Sequence, residues 1–170
     1  MSVREDLRAT ENEATGLFQQ PSASILGIGA DIVKRARIES AIKRWGQRFT
    51  DRIFTPRERD YCFKFRDPYP HLAGRFAVKE AIFKALGTGW SRGVAWKEIE
   101  TTNAPTGRPQ VTVAGRVAEL LKEQHGDEIF VTISHDTDYS IGQVIITRTP
   151  SPAPLPRRVG EGKAKRKALR

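Results

Sequence analysis

Apolar positions along this chain fall into short continuous, helical and alternating patterns. Ser24-Ile25-Leu26-Gly27-Ile28-Gly29-Ala30-Asp31-Ile32-Val33 is apolar almost throughout, with small residues inside it, and predicts a buried strand. Ile38, Ile42, Trp45 and Phe49 then recur at spacings of four, three and four, which predicts a helix over about 35–48. Thr55-Pro56-Arg57-Glu58 has the form of a capping box with proline at the first helical position, so a second short helix starts there and runs toward Phe65. A long helix is expected over 71–86, with Leu72, Phe76, Phe83 and Leu86 as its core seam and Gly87-Thr88-Gly89 as its stop. Residues 98–102 and 110–113 read as strands joined by a turn-rich segment. A helix over about 114–125 ends at Gly126. Ile129, Val131 and Ile133 alternate as a strand, 134–138 is the turn, and 139–147 is the last strand. Strands and helices in this order predict an α+β fold with an antiparallel sheet packed with helices.

The elements occupy about residues 23–148 of 170, which suits one domain. Residues 1–22 read as a weakly structured extension, and residues 149–170 as a proline-rich, then basic, disordered tail. No run of eighteen apolar residues exists, so a spanning helix is excluded. The first twenty residues lack the apolar segment of a secretory signal. Cys62 is the single cysteine, which excludes an internal disulfide and a zinc–cysteine cluster. A reduced, cytoplasmic protein is expected.

The net charge of +9 calls for a polyanion, and its distribution narrows the choice. The tail carries +6, residues 25–67 carry +5, residues 68–148 are neutral, and residues 1–24 carry −2. The tail is either a nucleic-acid or membrane arm or a solvated segment without a specific partner. The helix after Asp31 presents Arg35, Arg37, Lys43, Arg44 and Arg48 on its polar faces.

Each candidate for chemistry has a plainer alternative beside it. Gly27-Ile28-Gly29 is not a dinucleotide fingerprint, because Ile32 stands where the third glycine belongs. Asp31 at the strand end either caps the next helix or binds a metal. At about 100° per residue, Glu80 lies within about 60° of Phe76 and Phe83, so a carboxylate borders the apolar seam. Glu80 and Lys84 are four apart, which allows an ordinary helix salt bridge. The other reading makes Asp31 and Glu80 hard oxygen ligands of magnesium, surrounded by Arg75, Lys79 and Lys84 as phosphate-binding cations. Gly87-Thr88-Gly89 is a helix C-cap that also lets a phosphate approach backbone amides. Ser134-His135-Asp136 cannot form a relay, since consecutive strand residues point in different directions. A phosphate-contacting role for Ser134 and His135 stays open, while His71 and His125 read as surface or structural residues.

These pieces in this order resemble the holo-acyl-carrier-protein synthase family, the small bacterial type of 4′-phosphopantetheinyl transferase. The matching residues are Gly27-Ile28-Gly29-Ala30-Asp31-Ile32-Val33, Arg75-Phe76-Ala77-Val78-Lys79-Glu80-Ala81, Lys84-Ala85-Leu86-Gly87-Thr88-Gly89, Gly107-Arg108-Pro109 and Thr132-Ile133-Ser134-His135-Asp136. The resemblance implies one copy of the phosphopantetheinyl transferase fold per chain. It implies transfer of phosphopantetheine from coenzyme A to a serine of apo-acyl carrier protein, in fatty acid biosynthesis. Asp31 and Glu80 are implied as magnesium ligands and, with Lys84, as the catalytic set. Lys84, Gly87, Gly89, Ser134 and His135 are implied to line the coenzyme A site, and Arg37 and Arg44 to dock the acidic carrier protein. Val33 stands where larger transferases place a third acid, which leaves two protein carboxylates for the metal. A homotrimer with active sites between subunits is implied. Two other readings remain: a nucleic-acid-binding protein, and a carrier-binding module without turnover.

Overall fold

The computed structural model describes residues 24–89 and 91–149; the expected extension over 1–22 and nearly all of the tail lie outside them. The described elements are β1 (Ser24–Lys34), α1 (Arg35–Trp45), α2 (Gln47–Ile53), α3 (Pro56–Cys62), α4 (Tyr69–Ala85), a 3-10 turn (Trp96–Glu98), β2 (Ile99–Asn103), β3 (Pro109–Val113), α5 (Gly115–Glu123), β4 (Glu128–His135) and β5 (Tyr139–Arg148). The α+β class and the antiparallel pairing follow the sequence reading. The strands form two sheets, a three-stranded one in the order β1-β5-β4 and a two-stranded β2-β3 ribbon.

Several boundaries differ from expectation: the helix that starts at Pro56 ends at Cys62, short of Phe65, and the long helix starts at Tyr69. The helix expected over 35–48 breaks at Gly46, whose φ of 55° is left-handed and ends α1. Phe49, the last residue of the expected stripe, therefore lies on α2. The strand expected over 129–133 runs on to His135, because Ser134 pairs with Ile141 and His135 with Ser140. The turn shrinks to residues 136–138.

Helix α4 lies across the inner face of the three-stranded sheet. Ala73, Ala77 and Ala81, spaced at four, are fully buried along the helix. Ala81 meets Gly29 of β1, Ala77 meets Gly142 of β5, and Ala85 meets Gly27 of β1. A Cβ on Gly29 would run into the carbonyl of Ala81, and one on Gly27 into the carbonyl of Ala85. A Cβ on Gly142 would strike the backbone of Ala77 and Val78. Helix backbone therefore rests on strand backbone, and side chains do not separate them. Val33, Leu72, Val78, Ile82, Phe83, Val144 and Ile146 fill the space around this contact.

The far side of α4 is held by a buried ion pair. The Lys79 ammonium donates to Glu58 Oε2 at 2.9 Å, to the Trp96 carbonyl at 3.0 Å and to the Ile99 carbonyl. Glu58 Oε2 also accepts from the Thr55 amide at 2.9 Å, and Oε1 from the Thr101 amide at 3.0 Å. The capping box at Thr55 thus forms as expected, and its glutamate also joins α3, α4 and β2. Burial lowers the proton affinity of Lys79, with Glu58 opposing. A buried pair is costly to break when one partner is left without the other.

Two stability outcomes follow. Gly29→Ala should destabilise the fold by about 1–3 kcal/mol through overpacking, measured as a lower denaturant midpoint; an unchanged midpoint would contradict the backbone contact. Glu58→Gln should destabilise by about 3–5 kcal/mol, because a buried ammonium loses its counter-charge. In the same assay, Lys79→Met with Glu58→Gln should recover part of that loss.

Candidate active site

The site begins on β1, where residues alternate between the α4 side and the outer face. Gly29 and Val33 are buried against α4, and Asp31 between them faces the same way. The last turn of α4 brings Lys84 to it. Lys84 Nζ donates to Asp31 Oδ1 at 2.7 Å and to the Ala30 carbonyl at 2.9 Å. The helix salt bridge weighed for Glu80 and Lys84 is not the contact this ammonium makes; it reaches across to the strand.

Glu80 lies one turn earlier on α4, and its carboxyl is pushed up from the ordinary carboxylate range. Burial is the main cause and Asp31 the second, with Lys84 and Arg37 opposing. Asp31, Glu80, Lys84 and Arg37 thus share one electrostatic patch. Arg37 comes from α1, with its guanidinium 5.8 Å from the Phe76 ring. Arg44 lies two turns along α1, with its guanidinium 4.9 Å from the exposed Trp45 ring.

Gly87 and Gly89 follow the helix with φ of 67° and 55°. The Thr88 amide donates to the Phe83 carbonyl and the Gly87 amide to the Lys84 carbonyl, each at 3.0 Å. This is a Schellman C-cap, so the capping reading of the glycine turn holds. It also fixes the backbone of Lys84.

Two expected cations point elsewhere. Lys79 does not join Glu80; it is fully buried in the pair with Glu58. Arg75, only 3% exposed, lies under a different cleft. Its Nη2 donates to Asn103 Oδ1 at 2.7 Å, its guanidinium lies 4.1 Å from the Tyr61 ring, and its Nε is buried without a hydrogen-bond partner. Both read from sequence as cations around Glu80, but at about 100° per residue Lys79 points about 100° and Arg75 about 140° away from it.

His135 opens onto that same cleft with His71, Asn103 and Pro109. The His71 ring is 5.6 Å from His135, edge to face, and stacks on Phe65 at 3.8 Å. Burial, with His135 and Arg75 nearby, lowers the proton affinity of His71 and favours the neutral ring. In sequence His71 reads as a surface or structural residue, and the structure adds its place beside His135. Its available signal was a histidine one turn before Arg75 on the same helix.

Ser134 is exposed on β4 beside Ile141. The sheet order β1-β5-β4 sets Ser134 and His135 two strands away from β1, roughly 9–10 Å by strand spacing alone. One chain therefore joins Asp31, Glu80 and Lys84 but does not bring Ser134 and His135 to them.

The 4′-phosphopantetheinyl transferase superfamily model matches residues 27–144, a span that includes every residue of both groups. The chain belongs to this superfamily. The holo-[acyl-carrier-protein] synthase of Protochlamydia amoebophila is 44% identical over 115 residues, covering 68% of this chain and 92% of that protein. Among solved structures, the Neisseria meningitidis holo-[acyl-carrier-protein] synthase superposes with a TM-score of 0.67 at 34% identity, covering 72% of this chain and 98% of that one. The Helicobacter pylori synthase in complex with coenzyme A gives 0.62 at 33% identity, covering 70% and 98%. This superfamily member carries its Asp31 group and its His135 group on opposite edges of one sheet.

Proposed function

We propose that this chain transfers the 4′-phosphopantetheine group from coenzyme A to a serine of apo-acyl carrier protein, releasing adenosine 3′,5′-bisphosphate. The observation that carries the reading is the convergence of Asp31, Glu80 and Lys84 in a member of this superfamily. The carrier serine oxygen bonds to the β-phosphorus of coenzyme A. The bond from that phosphorus to the bridging oxygen of the pyrophosphate breaks, the bridging oxygen leaves on adenosine 3′,5′-bisphosphate, and the serine proton passes to solvent water.

Two neighbouring carboxylates suit a hard divalent cation with water and phosphate oxygens as its other ligands, so Asp31 and Glu80 fit magnesium. When bound, the ion neutralises charge on the pyrophosphate. Lys84 stabilises the charge that develops on the leaving phosphate. Gly87 and Gly89 keep the turn after α4 open to phosphate oxygens. Ser134 and His135 line the coenzyme site, and buried Arg75 adds fixed positive charge beside them. Arg37 and Arg44 lie seven apart on α1, on nearly one helical face, and suit an acidic carrier.

The chain works as a homotrimer with sites between neighbouring subunits. The outer face of the three-stranded sheet supports this. Ile28 is 68% and Ile32 59% exposed there, in register with Ile145 and Ile141 of β5, and Phe130 of β4 continues the first row. Such a face calls for a partner surface. A neighbour would also bring Ser134 and His135 toward Asp31, which the sheet order denies to one chain. Among the described residues no helix is long and apolar enough to cross a membrane. With the buried free thiol of Cys62, this supports a cytoplasmic enzyme.

Incubation with coenzyme A, magnesium and apo-acyl carrier protein should add the mass of one phosphopantetheinyl group to the carrier. A carrier that binds without gaining mass would instead indicate a binding module. Glu80→Ala should lower the rate by at least about 100-fold, by analogy with other lost transition-state contacts; near-normal magnesium-dependent turnover would remove Glu80 from the catalytic set. Mixing Asp31→Asn chains with Ser134→Ala/His135→Ala chains, after dissociation and reassembly, should restore activity above either alone. No gain on mixing would argue against sites shared between subunits.

A further inference from the structure

Lys84 poses a problem for the reading above, on which this inference rests. Its ammonium already sits at the oxygen expected to bind the cation, 2.7 Å from Asp31 Oδ1. A magnesium ion binds carboxylate oxygen at about 2.0–2.1 Å. An ammonium and a divalent cation at that distance from the same oxygen compete for its electron density and repel each other.

The surroundings give Lys84 somewhere to go. Its side chain is 49% exposed, against 18% for Asp31, so it borders solvent while the carboxylate is recessed. The backbone beneath it is fixed by the C-cap, through the Gly87 amide on the Lys84 carbonyl at 3.0 Å. The flexible stem can therefore swing while α4 and Glu80 stay in place. The second acceptor, the Ala30 carbonyl at 2.9 Å, is neutral and a weaker hold than a charged group. A pyrophosphate arriving beside the glycine turn offers several charged oxygens within reach of the same ammonium.

We propose that Lys84 acts as a surrogate cation on Asp31, and that coenzyme A phosphates draw it off, so that metal and coenzyme bind cooperatively through this one side chain. Lys84 then guards Asp31 before the coenzyme arrives and serves the leaving phosphate afterwards. The coupling is reciprocal: the metal frees Lys84 for phosphate as much as phosphate frees Asp31 for metal. Lys84 is in this respect a positioning residue for the metal, apart from its contact with the substrate.

The test is Mn2+ binding to the full chain without coenzyme, read from the paramagnetic resonance signal of the free ion. Lys84→Met should bind Mn2+ more tightly than the unaltered chain, by a factor within the usual range of binding couplings, about 5–150. Lys84→Arg, which keeps the charge, should show no such gain. Equal or weaker binding by Lys84→Met would overturn the proposal. If that variant does not fold, Lys84→Gln decides in the same way. Asp31→Asn separates the two ideas. If it binds Mn2+ as tightly as the unaltered chain, the metal assignment itself fails; if binding is lost, the Lys84 comparison stands on its own.

Discussion

The structure depends on one close approach, backbone against backbone, between α4 and the two strands beneath it. Three glycines on the strands and a row of alanines on the helix remove the side chains that would otherwise hold the layers apart. Interiors are packed densely enough that one added methyl group is felt. The approach fixes how far α4 stands from β1, and so whether a side chain from its last turn can reach Asp31. Lys84 reaches it, at hydrogen-bond distance. The opposite side of the helix is fixed by Lys79, which permits little rotation about the helix axis. Depth and rotation together place Glu80 near enough to Asp31 that the Asp31 charge helps raise the Glu80 carboxyl.

Much of the local architecture was legible in the residues. The capping box at Thr55, the glycine stop after α4 and the alternation of the last strands each carry their own signal, and each formed. Most departures from the sequence reading are long-range. The glycines of β1 were seen as small residues in a strand, but nothing near them in sequence says that a helix backbone lies on top. Lys79 is a neighbour of Glu80 only by adjacency in sequence, since about 100° of helical angle separates them; its partner Glu58 is 21 residues away and on another helix. Gly46 is a local stop signal that the continuing helix stripe masks. The polar run 134–138 reads as a turn, and cross-strand pairing nonetheless carries on to Ser134 and His135.

The site residues divide in the same manner. Glu80 is conspicuous in sequence as a carboxylate at the edge of an apolar seam, whereas its pairing with Asp31 comes from the family resemblance. That His135 lies with His71 and Arg75 at the far edge of the sheet is not readable, because strand order is not written in any single segment. The +5 over residues 25–67 also changes meaning once folded. Part of it is consumed internally, as in Arg35 with Asp67 and Arg57 with Glu100, while Arg37 and Arg44 stack on aromatic rings of or beside α1.

The Glu58–Lys79 pair reaches beyond stability at equilibrium. Each of the three ammonium protons has an acceptor, and the carboxylate also receives the amides of Thr55 and Thr101. No member can open without exposing charge to an apolar interior, so α3, α4 and β2 form one cooperative unit. Those two amides, one at a helix cap and one in a two-stranded ribbon, would then exchange with solvent as slowly as the central helix itself. The ribbon, marginal when alone, takes its kinetic lifetime from a lysine on another element.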